Sequence, residues 1–119
     1  MTSPPANAVL DDPDLQRGLN AISPVFGDLC IRVAGDVWGR PLLPQKYKAF
    51  LAMAVDVANQ GPPGAGSAFR AHLAMAVKQG ATRDEVEELL AFLCCYCGVN
   101  KLPHFFASVR EAFETGEVR

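Results

Sequence analysis

The sequence predicts an all-α protein of about six helices. Apolar residues recur at helical spacing along most of the chain, and helix-start signals occur at Ser23-Pro24 and at residues 82–85. No segment alternates apolar and polar residues with the period of a β-strand. The chain has 119 residues, of which 50% are apolar and 20% are charged, so it is long enough to bury one hydrophobic core.

The domain organisation follows from where this helical pattern begins. Residues 1–10 contain two prolines and no apolar period, so we expect a flexible leader. Residues 11–119 are predicted to form a single domain. No targeting segment is visible, and no apolar run approaches the roughly 20 residues that a membrane span needs. We therefore expect a cytoplasmic protein that does not bind membranes.

Three helices are predicted in the first half of the chain. The first begins near Asp12, and the second begins at Ser23 and ends at Gly39-Arg40-Pro41. The third runs from Pro44 to about Asn59 and is apolar nearly all round. A helix of this kind is typically buried in a core or in a subunit interface.

Three more helices are predicted after the loop GPPGAGS, residues 61–67, where Gly and Pro are too dense for a helix. A fourth helix, from Ala68 to Gln79, places His72 on its apolar face. The fifth follows the capping box at residues 82–85, and the last begins around Pro103. His72 is therefore predicted to point towards the interior.

Charge and cysteine content argue against several classes of function. The formal net charge is -2 and there is no run of Lys or Arg, so nucleic-acid binding is not expected. Three of the four cysteines lie in one short stretch, which is unlike the disulfide framework of a secreted protein. They are Cys30, Cys94, Cys95 and Cys97. Reduced thiols are expected.

Two segments resemble the carboxymuconolactone decarboxylase family of the alkylhydroperoxidase-like superfamily. They are LPQKYKAFLAMAVDVANQ (43–60) and FRAHLAMAVKQGATRDEVEELLAFLCCYCGVNK (69–101). The family's helix with a His and a following Gly matches His72 and Gly80, and its Y-x-G element matches residues 96–98. The resemblance implies an alkylhydroperoxidase-like helical domain that forms homo-oligomers, trimers or hexamers.

The resemblance also implies a reaction: a cofactor-free lyase or isomerase acting on a small anionic cyclic or enolisable substrate. Two departures qualify it. The family's decarboxylases commonly place a Glu-Leu pair four and three residues before the helical His, where this chain has Ala68 and Phe69. The peroxidase branch carries its redox C-x-x-C on the helix that here holds His72 and no cysteine.

His72 and Cys97 are the predicted catalytic residues. An imidazole can exchange protons near neutral pH, and a decarboxylation must end by protonating the carbanion that it leaves. The alternative for His72 is a core histidine bonded to a backbone carbonyl. Cys97 lies where the chain leaves its helix, so the N-terminus of the next helix could face it and favour the thiolate.

Five further residues are predicted to bind the substrate. Arg40 would hold a carboxylate and Trp38 would form an aromatic wall. The alternative is a core Trp and an Arg that caps the preceding helix. The other three predicted substrate-binding residues are Tyr96, Asn100 and His104.

Two other functions stay open. A thiol-dependent alkylhydroperoxidase-like protein would use Cys94 and Cys97, although the C-terminus of a helix disfavours thiolate. A non-catalytic oligomeric binding module is favoured by the two-sided apolar helix of residues 44–59. No metal site is predicted, because His72, His104 and Cys97 match no standard zinc spacing.

Overall fold

A computed structural model describes residues 3–119; Met1 and Thr2, part of the predicted leader, lie outside the described residues. Six α-helices and a short 3-10 helix make up the regular structure of residues 3–119, which contain no strand. The helices are α1 (Pro13–Ile22), α2 (Pro24–Trp38), α3 (Gln45–Ala58), α4 (Ala68–Lys78), α5 (Arg83–Cys97) and α6 (Pro103–Glu114), with the 3-10 helix at Val99–Lys101. The all-α prediction is confirmed.

Side-chain caps explain where four of the helices begin. Each capping side chain accepts a hydrogen bond from a backbone N–H in the first turn of its helix, which satisfies a donor that has no partner within the helix. The capping residues are Asp12, Ser23, Ser67 and Thr82. In α5 the predicted capping box is complete, because the carboxylate of Glu85 accepts a hydrogen bond from the backbone N–H of Thr82.

The chain forms two compact units, which meet in sequence between Gln45 and Lys46. In the first unit α1 packs against α2. Gly27 of α2 lies at the contact, where an added Cβ would come within 2.9 Å of the Cα of Asn20. Glycine is required there because any side chain would collide with the backbone of α1. The single domain predicted for residues 11–119 stays a prediction.

Part of the predicted leader lies in the first unit. Ala8 and Val9 are buried, and the side-chain amide of Asn7 donates a hydrogen bond of 2.9 Å to the carbonyl of Gly35. The side chain of Leu10 occupies the space that a Cβ on Gly35 would need. Ala8 and Val9 do not lie in a helix, so helical periodicity could not indicate their burial.

The core of the second unit comes from α3 to α6. Its largest fully buried side chains are Phe69, Phe105, Met53, Leu73, Leu90, Leu102, Val57, Val86 and Val109. The rings of Phe69 in α4 and Phe105 in α6 pack edge to face with their centroids 4.9 Å apart. This contact holds α4 against α6 and fixes the rotation of α4, which carries His72.

Helix α3 has one buried and one exposed apolar side. Ala49, Met53 and Val57 are fully buried, whereas Leu51 and Val55 are 57% and 56% exposed. The sequence predicted burial in a core or in a subunit interface. The first side lies in the core, and the second is uncovered in the single chain.

Helix α2 exposes its apolar row. Val25, Leu29, Val33 and Val37 recur at helical spacing, as predicted, and each is more than half exposed. Single exposed apolar side chains are ordinary, but a continuous row is unusual for a monomer. Within residues 3–119, no helix has the length and apolarity needed to cross a membrane.

Candidate functional site

His72 and Asp56 form a close acid–base pair in the second unit. Nδ1 of the His72 imidazole, in α4, lies 2.5 Å from Oδ2 of Asp56, in α3. The side chains are 28% and 16% exposed, so both are largely shielded from water. The 61–67 loop reverses the chain between the two helices and brings together residues 16 positions apart.

The pair lies at the rim of the core because of its place in each helix. Asp56 directly precedes the fully buried Val57, and His72 directly precedes the fully buried Leu73. A residue next to a buried position is turned about 100° away from it on a helix, which brings it to the edge of the buried face. The imidazole is therefore held by the core and still reaches water.

Asp56 was not predicted as a site residue. It has no fixed spacing to His72, and its contact depends on how α3 and α4 pack. One signal could have pointed to it: Asp56 is the only acidic residue in α3, a helix otherwise rich in Ala and apolar residues. A lone acid at the edge of a buried face is unusual unless it has a partner.

The end of α5 carries three predicted site residues. Cys97 is half-buried, and Asn100 is exposed in the 3-10 helix. Tyr96 is 76% exposed, and its ring packs against Phe92 with the centroids 5.1 Å apart. Within the described part of the chain, neither Cys97 nor Asn100 is hydrogen-bonded to His72. All four cysteines are free.

Gln60 ties the end of α3 to the 3-10 helix. Its backbone is left-handed, with φ 52°, and its side-chain amide donates hydrogen bonds to the carbonyls of Val57 at 2.7 Å and Lys101 at 3.4 Å. The N–H of Gly61 bonds to the carbonyl of Asp56 at 3.1 Å, which completes a Schellman termination. The last turn of α3, which carries Asp56, is therefore held by its own backbone hydrogen bonds and by the bond from Gln60 to the 3-10 helix.

Arg70 is the centre of a second polar cluster. Its side chain is 3% exposed, and its guanidinium binds both carboxylate oxygens of Glu117, at 2.8 and 2.9 Å. Nη1 donates to Ser108 Oγ at 3.1 Å and to Glu111 at 3.0 Å, and Ser108 donates to the carbonyl of Pro63. The hydrogen bonds with Glu117 raise the pKa of Arg70 and lower the pKa of Glu117.

His104, the second residue of α6, lies beside this cluster. It is exposed and lines an open pocket whose other residues are Pro63, Gly64, Arg70, Ala107, Ser108, Arg110 and Glu111. His72 is not among the residues that line this pocket. In the described part of the chain, no group of three or more His, Cys, Asp or Glu side chains is arranged to hold a metal ion.

Arg40 and Trp38 belong to the first unit. The Arg40 guanidinium pairs with the Asp36 carboxylate at 3.2 Å, and both side chains are mostly exposed. Trp38 is half-buried at the end of α2, and its carbonyl accepts a hydrogen bond of 2.5 Å from the side chain of Gln45. Their predicted role in binding the substrate stays a prediction.

Comparison with known proteins identifies the family to which the chain belongs. The model of the carboxymuconolactone decarboxylase family matches residues 24–111, a span that includes both His72 and Asp56. The chain belongs to the carboxymuconolactone decarboxylase family. The resemblance drawn from the sequence is confirmed, and with it the alkylhydroperoxidase-like class of fold.

A curated member of this family gives a measure of distance. The 4-carboxymuconolactone decarboxylase of Acinetobacter baylyi is 33% identical to this chain over 84 residues. The alignment covers 70% of this chain and 60% of that enzyme, so the chain spans about 60% of the length of its relative. No solved structure shows significant similarity to the chain.

One departure from the family has a structural counterpart. Ala68, one helical turn before His72, stands where the family's decarboxylases commonly have Glu, so α4 offers the imidazole no carboxylate. The carboxylate that contacts His72 belongs to Asp56 of α3. In this member of the family the imidazole is therefore paired across two helices.

Proposed function

We propose that the chain is a carboxymuconolactone decarboxylase-like enzyme, a cofactor-free lyase or isomerase acting on a small anionic cyclic or enolisable substrate. His72 would be the general acid and base. The observation that carries the proposal is the half-buried His72 imidazole held at 2.5 Å by a carboxylate. Membership of a decarboxylase family supports the class of reaction.

The chemistry needs one group that can give and take a proton. When a carboxylate leaves as CO₂, the electron pair of the broken C–C bond stays on carbon and is delocalised into an adjacent carbonyl as an enolate. Protonation of that carbon by the His72 imidazolium completes the decarboxylation. In an isomerisation the neutral imidazole would remove a proton from one carbon and return it to another.

The other predicted site residues are proposed in supporting roles. Arg40 would bind a substrate carboxylate, and Trp38 would contact the ring of the substrate. Tyr96, Asn100 and His104 are proposed as further binding residues, and Cys97 as a second catalytic residue. Replacement of a residue that only binds would raise KM with little change in kcat, which separates these roles from that of His72.

The test is turnover of 4-carboxymuconolactone and related carboxylated lactones, measured as CO₂ release or as loss of the ring chromophore. In His72→Gln we expect kcat to fall about 100-fold or more, since acid–base catalysis contributes roughly that much. Arg32→Gln is the matched control, because Arg32 is exposed and its ion pair is with Asp28 on its own helix. A His72→Gln enzyme with unchanged kcat would contradict the proposal.

A thiol-dependent redox function is the second candidate. Cys94 and Cys97 are both free, half-buried and one turn apart on α5. Hydroperoxide reduction that disappears in Cys94→Ser and in Cys97→Ser, while His72→Gln leaves it unchanged, would favour this function over the lyase. A rate that survives both serine variants would exclude it.

We also propose a homo-oligomer, a trimer or hexamer, located in the cytoplasm. The exposed apolar side chains of α2 and α3 support the oligomer, because such rows are usually covered in an assembly. A non-catalytic binding module would share this surface. It differs from the enzyme in predicting that His72→Gln leaves ligand binding unchanged and that the wild type turns over none of the carboxylated lactones.

A further inference from the structure

We infer that Asp56 is a positioning residue that fixes which nitrogen of His72 carries the proton, so that proton transfer to and from a substrate runs through Nε2. The catalytic part of this inference rests on the proposed function. The structural part, the protonation pattern of the ring, does not.

The contact with Asp56 determines which ring nitrogen of His72 carries the hydrogen. An ionised carboxylate accepts hydrogen bonds and donates none, so its 2.5 Å contact with Nδ1 is a hydrogen bond only if Nδ1 carries the hydrogen. A neutral imidazole has one N–H, which leaves the lone pair on Nε2. Once the ring is protonated, Nε2–H is the remaining donor. In both states Nδ1 is occupied and Nε2 exchanges the proton.

The Asp56–His72 pair has no other charged partner in the described part of the chain. Among the described residues, no lysine or arginine pairs with Asp56, and none donates or accepts a hydrogen bond at Nε2 of His72. The Asp56 carboxylate is only 16% exposed, and the imidazole of His72 is its side-chain partner. The negative charge of the carboxylate attracts the positive charge that the ring gains during proton transfer.

Asp56 does more than connect two helices. Any hydrogen-bonding pair could join α3 to α4 at this point. Only an acceptor without a donor dictates the tautomer, however, because an amide can present either its oxygen or its NH₂ to Nδ1. Asp56→Asn therefore keeps the size of the side chain and a hydrogen bond between α3 and α4. It no longer determines the tautomer of His72.

The decisive measurement is the tautomer of His72, read from two-bond ¹H–¹⁵N correlations of histidine-labelled protein at a pH where the rings are neutral. The chain has two histidines, so His72→Gln assigns the spectrum and His104 is an internal reference. We expect the Nδ1–H form of His72 in the wild type, its loss or mixing in Asp56→Asn, and its partial return in Asp56→Glu. His104 should not change.

Two spectra would overturn the inference: an Nε2–H tautomer of His72 in the wild type, or the same tautomer in the wild type and in Asp56→Asn. The first outcome needs no substitution at Asp56, so the inference stays testable even if Asp56→Asn prevents folding. A tautomer that responds to Asp56 as expected, in a wild type without lyase or isomerase activity, would support the positioning role and overturn the proposed function instead.

Kinetics test the catalytic part. In Asp56→Asn we expect kcat to fall about 100-fold or more with KM changed by less than about threefold, and Asp56→Glu to recover part of the loss. Asp28→Asn removes the same charge from an exposed carboxylate and should leave kcat unchanged. Equal kcat values for the wild type and Asp56→Asn would contradict a catalytic role for this pair.

Discussion

The guanidinium of Arg70 meets the carboxylate of Glu117 in two parallel hydrogen bonds of 2.8 and 2.9 Å. Arg70 belongs to α4, and Glu117 lies in the segment after α6. Through Ser108, the same arginine is connected to the carbonyl of Pro63 in the 61–67 loop. One buried cation thus joins a helix, a loop and the end of the described chain.

Removing this cation should lower stability substantially. In Arg70→Met we expect the free energy of unfolding to fall by about 2 to 3 kcal/mol, somewhat less than for a fully buried ion pair, because the carboxylates left behind are partly exposed. Urea unfolding measures the change. Arg32→Met, at an exposed pair, should cost at most about 0.5 kcal/mol. Equal losses in the two variants would contradict a special role for Arg70.

The Arg70–Glu117 pair should also make stability depend on pH. Hydrogen bonds from Arg70 lower the pKa of Glu117 in the folded state, so the carboxyl binds a proton more readily when the chain is unfolded. This contribution is fully present above the ordinary glutamate pKa of about 4.3 and is lost as the pH falls through the folded pKa. Urea unfolding from pH 7 to pH 3 should show a steeper decline for the wild type than for Glu117→Gln. Parallel curves would refute the prediction.

The capping box of α5 gives a local test of the fold. Thr82→Ala removes the acceptor for the N–H of Glu85 and should cost about 1 kcal/mol, whereas Thr82→Ser keeps the hydroxyl and should cost little. Glu85 has a second partner: a hydrogen bond of 2.5 Å from Lys46 is the main cause that lowers the pKa of its carboxyl. If Thr82→Ala and Thr82→Ser had the same Tm in thermal unfolding, the side-chain cap would not contribute to stability.

Gln60 allows backbone strain to be separated from side-chain bonding. Helix α4 ends with Gly80 in the left-handed position, where α3 has Gln60. Gln60→Ala removes the side-chain hydrogen bonds but keeps a residue with a Cβ in the left-handed conformation. Gln60→Gly removes both the hydrogen bonds and this backbone strain. We expect the alanine variant to be about 1 kcal/mol less stable than the glycine variant, and both to exchange the amides of residues 99–102 faster than the wild type. Alanine and glycine variants of equal stability would rule out strain.

The exposed side of α3 should be needed for assembly. Leu51→Gln and Val55→Gln introduce polar groups where the single chain exposes apolar ones. We expect the pair of changes to lower the molar mass measured by light scattering, while the circular dichroism of the helices is retained. Arg17→Gln, at an exposed pair on α1, is the control. A double variant with the mass of the wild type would show that this side is not an interface.

The helices could be predicted because their limits are set locally. Pro24 and Thr82 begin helices through contacts within one turn, and Gly80 ends one for the same reason. His72 could be proposed as a site residue because the spacing of apolar residues placed it on the apolar face of its helix. Asp56 and Arg70 could not, since their partners lie 16 and up to 47 positions away and are chosen by how whole helices pack.

The placement of His72 and Asp56 on separate helices makes the acid–base pair a property of the packed state. An isolated α4 would retain its imidazole but lose the carboxylate that orients it. Partial opening of the 61–67 loop, too small to register as unfolding, would separate the two groups first. If the proposed function holds, turnover should therefore decline on warming before the circular dichroism of the helices is lost, so that turnover would report the packing of α3 against α4.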